Sequence, residues 1–231
     1  MLELVNLKFL SKQAMSLDPT TIRWKLDNSP DSLSSKECDY LSDLVTEKLG
    51  FQAPDKDAKL AHVTPDKVTV IKTPEGDPYR EVYARSPNQG GKIKPKYIIV
   101  HDSYGSHDGT RSWILQRRSK VSYHYLIASN GDRTQFVYDT NRAYHAGRSY
   151  WKGTNGLNQN SVGISFWGNT REREPSFKEI DSCAHKIVYL MKKFGIPREN
   201  ILTHKQIAPN RKNDTAPDTM QRVLAQVDKL L

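Results

Sequence analysis

Apolar positions along this chain recur with two different periods, and the points where one gives way to the other mark its elements. The sharpest signal is residues 96–103, KYIIVHDS, where Tyr97, Ile98, Ile99 and Val100 form an unbroken apolar run entered from Pro95. A continuous run of β-branched and aromatic residues this short predicts a strand buried on both faces. It delivers His101 at its end. Residues 122–128 and 134–138 predict two strands joined by SNGD, a strong turn signal, and residues 161–167, SVGISFW, predict another strand. A short strand over 201–203 leads directly into His204.

Helical spacing appears four times. Cys38, Leu41, Leu44, Val45 and Leu49 recur at three to four residues after Ser34 and Ser35, and Gly50 closes the pattern. Residues 110–118 predict a short amphipathic helix with Trp113 and Ile114. Ser176 and Glu179 form a capping box ahead of Ile180, Ala184, Ile187, Met191 and Phe194, with Gly195 and Pro197 as the stop. Pro217 opens a last helix through Val223, Val227 and Leu230. Upstream, residues 68–72 and 79–85 predict strands around a PEGD turn. The clearest breaker cluster is SPNQGGKIKP, residues 86–95. It places a boundary between an N-terminal α+β segment, 1–90, and a domain over 91–231. Strands interspersed with helices make the latter an α/β domain, a mixed central β-sheet flanked by helices.

Charge narrows the partner. The 231 residues carry a formal net charge of +9, which favours an anionic surface such as nucleic acid, membrane or bacterial wall. No run of five basic residues appears, and the aromatics lack the spacing of a base-stacking platform, so nucleic acid is disfavoured. Mean hydropathy is −0.70 and no stretch has the apolar length of a membrane span. The N-terminus reads without a signal peptide, and two distant cysteines, Cys38 and Cys183, make no disulfide framework.

Two histidines that each follow a strand, His101 and His204, and a carboxylate, Asp214, supply the ligand types of a catalytic zinc with an open position. Lys212 lies two residues from Asp214, so in an extended segment both side chains share a face. Spacing by itself leaves a solvated loop as an equal alternative, because these residues lack the tight spacing of a helical metal motif.

Five separated motifs, IIVHDS, SYHYLIASNGD, RAYHAG, LNQNSVGI and THKQIAPNRKND, occur in one order. In that order they resemble the zinc-dependent N-acetylmuramoyl-L-alanine amidases, the fold shared with phage lysozyme-type amidases and peptidoglycan-recognition proteins. The resemblance runs from about residue 94 to the C-terminus. It implies zinc as cofactor, with His101, His204 and Asp214 as its ligands and Lys212 as a catalytic residue. It also implies Tyr123 in the acid/base role that other members give to a glutamate at the position of Ser165, and it sets His145 against substrate. Trp151 is a candidate for stacking on sugar or peptide. Where many relatives read KxDPGP, this chain reads Lys212-Asn213-Asp214-Thr215-Ala216-Pro217, which puts the rigidity of that loop in question. The expected substrate is bacterial peptidoglycan, an anionic cell wall. The expected setting is a phage endolysin held in the host cytoplasm until lysis. The alternatives are a cytoplasmic muropeptide-recycling amidase, a stem endopeptidase and a catalytically silent peptidoglycan-binding module.

Overall fold

A computed structural model describes residues 69–231. The helix expected around residues 34–49, and any role for the segment that carries it, lie outside the described residues. Eleven strands appear among the described residues, in chain order β1 (Thr69–Ile71), β2 (Glu81–Tyr83), β3 (Gln89–Lys92), β4 (Tyr97–Asp102), β5 (Tyr125–Ile127), β6 (Arg133–Gln135), β7 (Asn141–Ala143), β8 (Tyr150–Trp151), β9 (Thr154–Asn155), β10 (Ser161–Phe166) and β11 (Ile201–Thr203). The α-helices are α1 (His107–Ile114), α2 (Phe177–Phe194), α3 (His204–Ile207) and α4 (Pro217–Leu230).

Seven strands form one mixed sheet in the order β1-β2-β6-β5-β10-β4-β11. Strand β4 is the last but one, parallel to β10 on one side and to the edge strand β11 on the other. Its alternation sorts the apolar run between two faces. Ile98 and Val100 join Val162, Ile164 and Phe166 under α2 and α4, whereas Ile99 packs with Ala146, Leu157, Leu202 and Ile207 on the opposite side. Both faces are therefore covered, which is why the run carries no polar alternation until His101.

The long helix α2 begins on the capping box seen in the sequence: Ser176 Oγ accepts from the Glu179 amide, and the Glu179 carboxylate accepts from the Ser176 amide. Gly195, at φ 66°, ends it in the left-handed conformation. Helix α1 starts earlier than the hydrophobic spacing indicates, because Ser106 caps it by accepting from the Gly109 amide. Strand β5 starts later than expected. His124 Nδ1 accepts the Gly163 N–H, so a side chain occupies a donor that a longer ladder would use.

The Gly/Pro-containing stretch 86–95 is packed structure, and the division of the chain into two compact units falls instead between Thr64 and Pro65. Within this stretch β3 pairs with β7, Asn88 is buried, and its amide donates to the Ile114 and Gln116 carbonyls. Upstream, β2 pairs in parallel with β6. The hairpin is further fixed by a buried charge cluster, in which Glu81 meets both Arg133 (2.8 Å) and Lys186 (2.6 Å). Turn-forming composition marks a linker only when its polar groups face water, and here several are buried.

Candidate metal centre

Parallel pairing of β4 with β11 brings the carboxyl ends of both strands to the same edge of the sheet, the usual position for sites in open α/β folds. His101 stands at the end of β4. His204 is the first residue of α3, directly after β11. Asp214 comes from the loop before α4, tied back by a hydrogen bond from the Lys205 amide to its carbonyl (2.7 Å). The Nδ1 atoms of His101 and His204 lie 3.0 Å apart. Asp214 Oδ2 is 3.1 Å from His204 Nδ1 and 3.6 Å from His101 Nδ1. One donor atom from each of the three residues lies within 4.8 Å of the others.

All three side chains are buried, His101 at 0% exposure. Burial chiefly, and the neighbouring His204, lower the His101 pKa from 6.5 to about 4. Burial acts to raise the pKa of Asp214, but the two imidazoles beside it outweigh burial and hold the carboxyl well below the ordinary carboxylate range. The second carboxylate oxygen, Asp214 Oδ1, is buried with no hydrogen-bond partner. A buried carboxylate oxygen without a partner, beside two imidazole nitrogens aimed at one point, is a costly arrangement that a divalent cation would satisfy. The set of two imidazoles and one carboxylate suits zinc.

The histidines are held from behind. His204 Nε2 donates to the Ala146 carbonyl (3.2 Å), and His101 Nε2 meets His145 Nδ1 at 2.9 Å. The motif resemblance sets His145 against substrate. The structure buries it behind His101, with its second nitrogen 3.4 Å from Ser161 Oγ. Trp151 likewise packs on the apolar cluster of Ile99, Leu202 and Ile207. Its indole keeps partial exposure, with the Lys152 ammonium 5.7 Å from the ring centroid.

Tyr123 precedes β5 and lies with its ring centroid 5.2 Å from that of His101. Its hydroxyl donates to the Asp102 carbonyl at 3.4 Å. Burial first, and the Asp214 charge second, push the phenol far above its usual range. Ser165 is the register neighbour of His101 across β10 and β4, and its hydroxyl donates to the Phe166 carbonyl. Half-buried Lys212 is near enough for its charge to disfavour protonation of His101.

Sequence reasoning missed Asp102. Its side chain points to the other face of β4 from His101, and its carboxylate accepts from the Thr170 amide (2.9 Å), the Thr170 hydroxyl (2.7 Å) and the Thr215 hydroxyl (3.2 Å). Its own amide donates to Asp214 Oδ2 at 3.3 Å, and Thr170 Oγ1 accepts from the Ala216 amide. The loop in which Thr215 and Ala216 replace a proline and a glycine is therefore secured by side-chain hydrogen bonds. An acid beside His101 was visible in IIVHDS, but nothing in the motif showed which way it faces.

Comparison with known proteins gives the family and the fold. The family model described as N-acetylmuramoyl-L-alanine amidase matches residues 91–217. N-acetylmuramoyl-L-alanine amidase AmiD of Escherichia coli is 27% identical over 157 residues, covering 62% of this chain and 56% of that protein. The 1,6-anhydro-N-acetylmuramyl-L-alanine amidase AmpD of Haemophilus influenzae is 33% identical over 125 residues, covering 54% of this chain and 61% of its own length. The chain thus spans somewhat over half of each of these relatives. A solved structure of an AmpD selenomethionine derivative superposes with a TM-score of 0.54 at 25% identity, over 63% of this chain and 93% of that one. No helix among the described residues is long and apolar enough to cross a membrane.

Proposed function

Because this chain belongs to the N-acetylmuramoyl-L-alanine amidase family, we propose that it hydrolyses the amide bond between N-acetylmuramic acid and the L-alanine of the peptidoglycan stem, with zinc as cofactor. The observation that carries this reading is the convergence of His101, His204 and Asp214 on one buried point, with Asp214 Oδ1 unpartnered. These three residues would hold the metal. Zinc bound there supplies a Lewis acid that activates water and polarises a carbonyl.

The other residues take roles from their chemistry. Lys212 brings positive charge to the side where the scissile carbonyl oxygen becomes an oxyanion, and a fixed charge there favours the transition state over the ground state. Tyr123 stays protonated at neutral pH, since burial and Asp214 oppose its ionisation. A protonated phenol suits donation toward the departing alanine nitrogen better than abstraction of a proton. Ser165, lacking a titratable group, does not replace the glutamate that the resemblance associates with its position.

For the biological setting we propose a phage endolysin, on the pairing of Tyr123 with Ser165. The AmpD relative, named as a 1,6-anhydro-muramyl amidase, supports a second reading, muropeptide recycling. Digestion of purified sacculi, with the products read by mass spectrometry, tests both. Release of intact stem peptides from glycan is expected, and cuts within the stem would overturn the amidase assignment. Activity confined to soluble anhydro-muropeptide would favour recycling. Asp214→Ala should lose metal and activity while keeping its fold by circular dichroism, and full zinc retention would remove it from the ligand set.

A further inference from the structure

Both ligand histidines lean on the same two residues, His145 and Ala146. The His145 ring faces His101 Nε2 at 2.9 Å, and the Ala146 carbonyl accepts from His204 Nε2 at 3.2 Å. A single side-chain atom accepts from both of their amides. Asn158 Oδ1 accepts from the His145 amide at 3.0 Å and from the Ala146 amide at 2.7 Å. We infer that Asn158 is a positioning residue for the metal centre, acting on both imidazole ligands through one dipeptide. This inference rests on the metal site proposed above, and it concerns a residue that touches neither metal nor substrate.

Directionality supports it. Ser161 donates its hydroxyl hydrogen to the Leu157 carbonyl at 2.5 Å, so its oxygen is left to accept. His145 Nε2, 3.4 Å from that oxygen, carries the hydrogen, and its Nδ1 is the acceptor. His101 must then be protonated on Nε2, which leaves its Nδ1 lone pair facing His204 and Asp214. On the other side, His204 Nε2 faces the Ala146 carbonyl at 3.2 Å and Arg211 Nη2 at 3.3 Å, so the same dipeptide and its arginine tie set the orientation of that ring. Partners that fix the ring orientation and tautomer of a ligand histidine raise its readiness for metal. Here both partners belong to one short segment.

Packing supplies an independent reason that the segment occupies this place. Gly163 on β10 lies directly under the His145 ring, and a Cβ built there would fall 2.6 Å from the ring's Cγ and Nδ1. Its φ is not the reason for a glycine; the space taken by the imidazole is. The ring is thus seated by Gly163 beneath and anchored at its backbone by Asn158. Arg211 adds a third tie, with Nη2 donating to the Ala146 carbonyl at 2.7 Å.

The test compares full-length Asn158→Ala, Asn158→Asp and wild type. Asn158→Asp keeps an oxygen acceptor for both amides, whereas Asn158→Ala removes it. Zinc affinity is measured by chelator competition, and the melting temperature of the metal-free proteins is measured alongside. A 15N-detected histidine spectrum of the metal-free proteins at neutral pH reports the tautomer of His101. Loss of zinc affinity by about 10- to 100-fold is expected for Asn158→Ala, with recovery in Asn158→Asp to within a few-fold of wild type. The spectrum should show His101 protonated on Nε2 in wild type and Asn158→Asp, and a mixture of tautomers in Asn158→Ala. Gly163→Ala, which displaces the ring without touching Asn158, should shift the tautomer in the same direction. An unchanged tautomer in both Asn158→Ala and Gly163→Ala overturns the inference, as does equal impairment of the Ala and Asp variants. A wild-type protein that binds no zinc would overturn the metal site instead, because the tautomer comparison is made without metal.

Discussion

His124 joins two parts of the domain that meet near the metal centre, and its protonation should be felt as a loss of stability. Its Nδ1 accepts the Gly163 N–H at 2.9 Å, and its Nε2–H donates to the Asn141 carbonyl at 2.9 Å. Burial lowers its pKa from 6.5 to about 4, against the opposing influence of the Asn141 carbonyl and the Asp139 charge. Protonating Nδ1 would take away the acceptor for Gly163 and leave a charge in the core. In the unfolded chain the imidazole gains its proton near 6.5, so between 6.5 and 4 the unfolded state binds more protons and stability falls as pH falls. Those two values correspond to a loss of about 2 kcal/mol by pH 5 and about 3 kcal/mol by pH 4. Urea denaturation across this range, with chelator present, measures it when wild type is compared with His124→Asn. The asparagine offers an oxygen near the position of Nδ1 and does not titrate. Whatever deficit the variant shows at neutral pH should shrink by about 2 kcal/mol on going to pH 5. Stability curves that stay parallel would show that His124 titrates alike in both states, and would refute the assignment of a buried neutral imidazole.

Four further outcomes follow from the site and its support. Lys212→Met should retain zinc but lose activity by about 10²- to 10³-fold, as for loss of an oxyanion donor, and near-normal turnover would reduce Lys212 to a loop residue. Tyr123→Phe should lower turnover strongly with zinc retained, whereas Ser165→Ala should change it little; the reverse ranking in a muropeptide assay would move the acid/base role to β10. A chain beginning at Pro65 should stay folded and cut soluble muropeptide normally, yet lyse intact sacculi poorly if the preceding residues tether it to the wall. A chain beginning at Gly91 should be destabilised by about 3–5 kcal/mol in urea, because it leaves Arg133 and Lys186 buried without Glu81.

The parts of this molecule that were legible in the sequence are those where one local rule governs. The apolar run before His101, the capping box at Ser176 and Glu179, the left-handed stop at Gly195 and the proline at the start of α4 all appear where pattern places them. Motif order identified the residues that now converge. What stayed hidden depends on contacts between distant segments. The breaker composition of residues 86–95 gave no sign that Asn88 is buried against α1. The motif that sets His145 against substrate gave no sign of its contact with His101, because a histidine after an aromatic looks alike whether its ring meets solvent or another imidazole. The support from Asn158 and Asp102 was beyond reach, since each acts on residues far along the chain through an orientation that only the sheet determines.

Asp102 has one more consequence. It sits next to His101 on β4, faces the opposite way, and holds the Thr170 and Thr215 hydroxyls that keep the Asp214 loop in place. One strand end therefore presents His101 and, through Asp102, anchors the segment bearing Asp214, 112 residues after Asp102. Positions 102, 170 and 215 are coupled through buried hydrogen bonds. A change at any one leaves a buried donor or acceptor stranded until its partners change too. In a saturation mutagenesis screen these three positions would stand beside His101, His204 and Asp214 in intolerance and be rescued only in combination, while exposed Pro209 and Asn210 tolerate change.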